Sequence, residues 1–139
     1  MRKNIIIGIV LAILCPLLLN AKSNTSELIK EVIQINLKYC QEENLKGIMS
    51  TIHTKSVLYI PTKKFMKQLI PVYDLEYKLL KYEFIGQDEE YAYAKVLQST
   101  KKISGKKFNN NELETLHIFK KEAGKWKIWS QASLSLKFK

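Results

Sequence analysis

Near Asp74 the spacing of apolar residues changes, and no other feature of the chain limits its fold as strongly. Before that point Ile29, Val32, Ile33, Leu37 and Cys40 recur at intervals of three and four, which places them on one face of a helix. After it, Leu75, Tyr77 and Leu79 alternate with Asp74, Glu76 and Lys78, as in a strand with one buried face. Helices come first and strands second. That order predicts an α+β domain with the helices packed on one face of an antiparallel sheet.

The punctuation supports this reading. Ser26 is placed to cap a first helix running to about Tyr39, with Glu27 and Glu31 in its early turns, where the helix dipole favours anions. Asn44 is placed to cap a short second helix with Leu45, Ile48, Met49 and Ile52 as its apolar positions. Pro61 suits the first turn of a third, which carries Phe65, Met66, Leu69 and Ile70 and stops before Pro71. Within the first strand the alternation slips by one, so that Leu80, Tyr82 and Phe84 take over from Leu75, Tyr77 and Leu79. Such a slip predicts a bulge or sharp bend near Leu79-Leu80. Further strands are expected over Tyr91 to about Ile103, Glu112 to Lys121 and Trp126 to Phe138, joined by short turns and one polar loop. The result is a strongly bent meander whose helices close it into a cone with an apolar interior.

The chain has 139 residues, 46% hydrophobic and 26% charged. That composition excludes a disordered chain, a collagen-like repeat and a multi-span membrane protein. Arg2 and Lys3 precede a fifteen-residue apolar run from Ile5 to Leu19, then Ala21 and a polar stretch. This is the layout of a secretory signal over residues 1–21, leaving residues 22–139 as a single domain. The expected location is secreted or periplasmic after cleavage near Ala21, the alternative being a membrane anchor formed by residues 5–19. Lipid attachment at Cys15 would want a small residue just before it, where Leu14 stands. Cys40 is then the lone cysteine of the mature chain, so no internal disulfide forms and the thiol is expected to pack as a small apolar group.

Residues 95–139 hold eleven lysines against three acids, and the remainder beyond the signal is nearly neutral. Arg2 is the only arginine. Lysine lacks the planar fork that reads guanine, so sequence-specific nucleic-acid recognition is not expected. Weak attraction to an anionic envelope is.

Three pieces in order resemble the nuclear-transport-factor-2-like superfamily, which includes ketosteroid isomerases, scytalone dehydratases and polyketide-cyclase-like proteins. They are a long first helix followed by the short Asn44-Leu45-Lys46-Gly47-Ile48-Met49, a bent strand entered after Pro71, and the closing hairpin Glu122-Ala123-Gly124-Lys125-Trp126-Lys127-Ile128. The resemblance implies a cone fold with a cavity, frequent homodimers through the sheet, and either an enzyme or a binding module. The fold alone does not choose between these.

An isomerase-like reaction needs a carboxylate base on an apolar wall. Asp74, Glu76 and Glu83 alternate away from the apolar face, Asp88, Glu89 and Glu90 crowd a turn, and Glu112 and Glu114 share a strand face near a polar loop. No acid stands alone among apolar neighbours. His53 and His117 are the only histidines, too few for a zinc site of the usual kind, so no metal and no cofactor are expected. His53 reads as a solvated loop residue. His117 shares strand parity with Leu113, Thr115 and Phe119, which makes it the one candidate catalytic group and, with Tyr77, Tyr82, Tyr93 and Trp129, a candidate ligand-binding residue. The function expected is a non-catalytic binding or interaction module for a small apolar ligand. The alternatives are a cofactor-free isomerase, dehydratase or cyclase using His117 and tyrosines, and a lysine-rich envelope-associated protein. Trp126 and Trp129 differ by three in a period-two strand, so one indole is expected on the outer face and a homodimer is expected to cover it.

Overall fold

A computed structural model describes residues 14–139, with side chains from residue 24 onward. The basic start at Arg2-Lys3 and most of the apolar run lie outside the described residues. Three helices, α1 (Leu14–Gln41), α2 (Leu45–Ser50) and α3 (Tyr59–Leu69), precede four strands, β1 (Tyr73–Gln87), β2 (Tyr91–Gly105), β3 (Asn111–Glu122) and β4 (Lys125–Phe138). The strands form one antiparallel sheet in the order β1-β2-β3-β4, so the α+β meander is as expected. Among the described residues no helix is long and apolar enough to cross a membrane.

One helix boundary differs. Ser26 lies inside α1 rather than at its start, because no proline or glycine between Pro16 and Gln41 interrupts the helix. A serine acts as a cap only where the preceding backbone has left the helix. Ser26 serves another purpose there: its carbonyl accepts the Tyr82 hydroxyl at 2.7 Å, tying α1 to β1. Asn44 does cap α2, its side-chain oxygen accepting the Gly47 N–H at 2.9 Å. Gly47 then packs face-on against α1, and a Cβ there would stand 2.4 Å from the Tyr39 ring.

The bend in β1 falls where the period slips: Leu79 pairs with Gln98 and Lys81 with Leu97, leaving Leu80 as the extra residue. The floor of the bent sheet is lined by Ala92, Ala94 and Val96 of β2, each fully buried. Small side chains there let α1 approach with Ile29, Ile33 and Leu37, while Phe119 and Ile128 fill the space beside them. Losing a ring buried as completely as Phe119 costs about 3–5 kcal/mol. The free edge of β4 is covered in part by the chain after α2, where Ile52 bridges Ile128 in parallel. There the Ile128 N–H donates to Thr51 O and the His53 N–H to Ile128 O, both at 2.9 Å.

Candidate functional site

Beyond the Ala92-Ala94-Val96 row the concave face turns polar, and there the helices and the sheet line an open cavity of about 250 Å³. Leu37 and Cys40 of α1, Leu58 before α3, and Phe65, Met66 and Leu69 of α3 form its apolar side. Tyr77, Gln98, Thr115, His117 and Gln131 project from the four strands, and Asn36 from α1. No carboxylate is among the residues that line it.

Strand parity explains most of this wall. Leu113, Thr115 and His117 alternate on the concave face of β3, and Gln98 continues the face of Ala94 and Val96. Gln131 needs a further step. Phe119 pairs with Ile128 but Ile118 with Ser130, so Trp129 is an extra residue in β4. That bulge shifts the parity, and Ile128 and Gln131 both face inward although they are three apart.

His117 is buried, at 5% exposure. Its Nε2 lies 2.7 Å from Thr115 Oγ1 and its Nδ1 3.2 Å from the Gln131 side-chain nitrogen. With the Gln131 amide donating to Nδ1, Nε2 carries the proton and donates to Thr115. Burial pushes its pKa down to about 4. Burial also pushes the Cys40 thiol up to about 11 and raises the Tyr77 hydroxyl, with Cys40 and Glu43 adding to the rise. Each of these three groups is therefore neutral at pH 7.

Of the residues singled out in the sequence, His117 and Tyr77 share this cavity and three others lie elsewhere. The bulge at Leu80 carries Tyr82 toward the middle of α1, where its hydroxyl donates to Ser26 O. Tyr93 has the opposite parity to Ala92 and Ala94, and its hydroxyl donates to the Asp88 carboxylate at 2.6 Å. Asp88 also accepts the Glu90 and Tyr91 N–H groups and closes the turn. Trp129 lies on the convex face beside Tyr91, with Lys120 Nζ 5.0 Å from its ring centroid.

His53, expected in solvent, is 6% exposed and meets the Trp129 ring edge-on at 4.8 Å. Its Nδ1 accepts the Lys55 N–H at 3.1 Å and lies 3.6 Å from Glu122 Oε1. The Thr54 hydroxyl donates to the same carboxylate, and Lys127 pairs with it at 2.9 Å. Those two groups hold the Glu122 carboxyl down at about 2. This cluster latches the α2–α3 connection to the β3–β4 hairpin, outside the cavity. Among the described residues no three His, Cys, Asp or Glu side chains converge as metal ligands.

Asn36, Thr62, Gln98 and Gln131 are polar cavity residues that sequence reasoning passed over, and Thr115 entered it only as a parity mate of His117. The parity of Thr115 with His117 was the available signal. For Gln131 the bulge removes it.

A family model for the C-terminal domain of anti-sigma-I factor RsgI9 matches residues 31–139. A search of the curated proteins finds no match. Among solved structures, a conserved protein from Planctomyces limnophilus superposes with a TM-score of 0.72 at 14% identity, covering 84% of this chain and 99% of that one. An NTF2-like protein of unknown function from Pseudomonas putida gives 0.67 at 9% identity, covering 81% and 87%. Another, from Shewanella oneidensis, gives 0.62 at 11% identity, covering 78% and 98%. The fold is thus the nuclear-transport-factor-2-like cone.

Proposed function

Because the chain belongs to the family of the anti-sigma-I factor RsgI9 C-terminal domain, we propose that it is an exported, non-catalytic binding module whose cone cavity takes a small uncharged ligand. A family named for a regulatory protein suits a domain that binds without turning its ligand over. The observation that carries the reading is the neutrality of the wall: His117, Cys40 and Tyr77 are all held uncharged and no carboxylate joins them. A charged ligand entering there would lose its water and meet no counter-charge. An imidazole with a pKa of about 4 is also a weak general base near neutrality, and both its nitrogens are already engaged by Thr115 and Gln131. A mainly apolar molecule with one or two hydrogen-bonding groups fits, since the Gln98, Gln131 and Tyr77 side chains can meet them.

Native mass spectrometry of protein purified from its own host tests this. A retained neutral small molecule is expected, and Leu113→Trp, which fills the cavity, is expected to remove it while leaving the fold intact. A retained anion or cation, or turnover of a bound compound, would overturn the reading. For the export half, N-terminal sequencing of the protein from the producing cell is expected to start at or near Lys22. Intact Met1 in the membrane fraction would instead favour the anchor.

A further inference from the structure

The meander has two unlike ends. One carries the turns between β1 and β2 and between β3 and β4. The other carries the 106–110 loop, the first residues of β1 and the last of β4. Along the body of the sheet most lysines are paired with carboxylates: Lys81 and Lys95 with Glu83, Lys120 with Glu90, and Lys127 with Glu122. Lys121 lies over the Trp126 ring, and Lys125, in the hairpin, is in no ion pair among the described residues. At the loop end most lysines are not paired. Lys101, Lys102, Lys106, Lys107 and Lys137 are all exposed, and none is in an ion pair among the described residues. Two of the acids there, Glu112 and Glu76, are occupied by Lys139 at 3.3 Å and Lys78 at 3.1 Å, leaving Asp74.

Apolar side chains stand exposed among these lysines. Ile103 is 58% exposed, Leu134 51%, Leu136 52% and Phe138 64%. Two of them come from irregular pairing: Ile103 and Leu134 are the unpaired residues at register shifts. Leu136 and Phe138 continue the concave face past Leu113. Unpaired lysines interleaved with exposed large apolar groups match the boundary of an anionic bilayer. There the ammonium groups meet phosphates while the side chains enter the acyl region. Lysine without arginine suits this diffuse attraction better than the bidentate reading of a nucleic acid.

We propose that this end of the sheet docks on an anionic lipid surface, with Lys101, Lys102, Lys106, Lys107 and Lys137 on the headgroups and Ile103, Leu136 and Phe138 below them. The contact uses none of the cavity residues, so it stands or falls separately from the ligand.

The test is co-flotation of the full chain with neutral phosphatidylcholine vesicles and with vesicles containing one quarter phosphatidylglycerol. Every variant shares the basic and apolar N-terminal run, so differences in the ratio of anionic to neutral binding between variants report on the sheet end. The expected ratio is at least tenfold at low salt, collapsing toward unity at about 0.5 M salt as the charges are screened. Lys106→Glu/Lys107→Glu is expected to lower it at least fivefold, and Lys46→Glu/Lys55→Glu, an equal charge change on the α2 side, to leave it within twofold. Ile103→Ser/Phe138→Ser is expected to weaken binding to anionic vesicles while leaving binding to soluble RNA unchanged. A ratio near one at low salt overturns the proposal. So does an equal loss from both lysine pairs, or RNA binding as tight as vesicle binding with no dependence on Ile103 and Phe138.

Discussion

His117 sits among neutral partners, with Thr115 at 2.7 Å and Gln131 at 3.2 Å, so protonation would leave a buried charge with no carboxylate to meet it. Its pKa falls from 6.5 to about 4 on folding. Between those values the unfolded chain holds a proton that the folded chain does not, so stability rises with pH across the window and is lost as pH drops through it. The whole shift corresponds to about 3 kcal/mol at ~1.4 kcal/mol per unit. Glu122 acts in a lower window, since its carboxyl is brought from 4.5 to about 2 by the Thr54 hydroxyl and Lys127; its stabilisation is lost only as pH falls through that range. Urea unfolding measured from pH 7 to pH 3 is therefore expected to show two limbs. His117→Gln should flatten the limb between about 6.5 and 4 and leave the lower one, and Glu122→Gln should do the reverse. If His117→Gln leaves the upper limb as steep as before, another group carries it.

Two junctions hold the elements in place. At the first, Gly47 lets α2 lie against the Tyr39 ring, where an added Cβ would approach to 2.4 Å. The clash is with ring carbons close to the root of the Tyr39 side chain, so Gly47→Ala is expected to destabilise by about 1–3 kcal/mol in spite of alanine's better helix propensity. Denaturant titration reads it, and a stabilised Gly47→Ala variant would show that α2 can shift freely. At the second junction, Ser56 Oγ donates to Trp129 O at 2.6 Å while Thr54 donates to Glu122 through both its N–H and its hydroxyl. Glu122→Ala is expected to speed hydrogen exchange at the His53 and Ser56 amides, which donate to Ile128 O and His53 O. Amides in the centre of β2 should be unaffected. Uniform acceleration across the sheet would mean that Glu122 supports the whole fold and not this connection.

For the molecule as a whole, the sheet sends its two indoles to different surroundings. Trp126 packs toward α1, among the residues lining a groove with Leu28, Val32 and Ile35. Trp129 points the other way but is sheltered by His53, Tyr91 and Lys120 of the same chain. The indole that motivated association through the sheet thus also has neighbours within its own chain. Trp129→Ala is accordingly expected to lower the stability of the isolated chain by about 1–3 kcal/mol, somewhat less than the ~3–5 kcal/mol of a fully buried ring. Urea titration at two protein concentrations checks this. A loss that grows as the protein is diluted would return Trp129 to a subunit interface.

The order of elements, the meander and the bend were legible because each is written in a local period. The slip from Leu79 to Leu80 shows the β1 bulge directly, and Asn44 announces α2 by the hydrogen bond it can make to Gly47. The α+β cone followed from these, and so did the inward parity of Thr115 and His117. What the tertiary structure decided is where chain segments far apart in sequence meet. The bulge at Trp129 exists only in the pairing of β4 with β3, and it turns Gln131 inward to reach His117. The burial of His53 depends on the α2–α3 connection lying along the edge of β4. Tyr82, Tyr93 and Trp129 sit on aromatic-rich strands like Tyr77, yet Ser26, Asp88 and Lys120 occupy them away from the cavity. Periodicity states which residues share a face of one strand. It does not state which part of that face the helices cover, because that depends on contacts spanning the length of the chain.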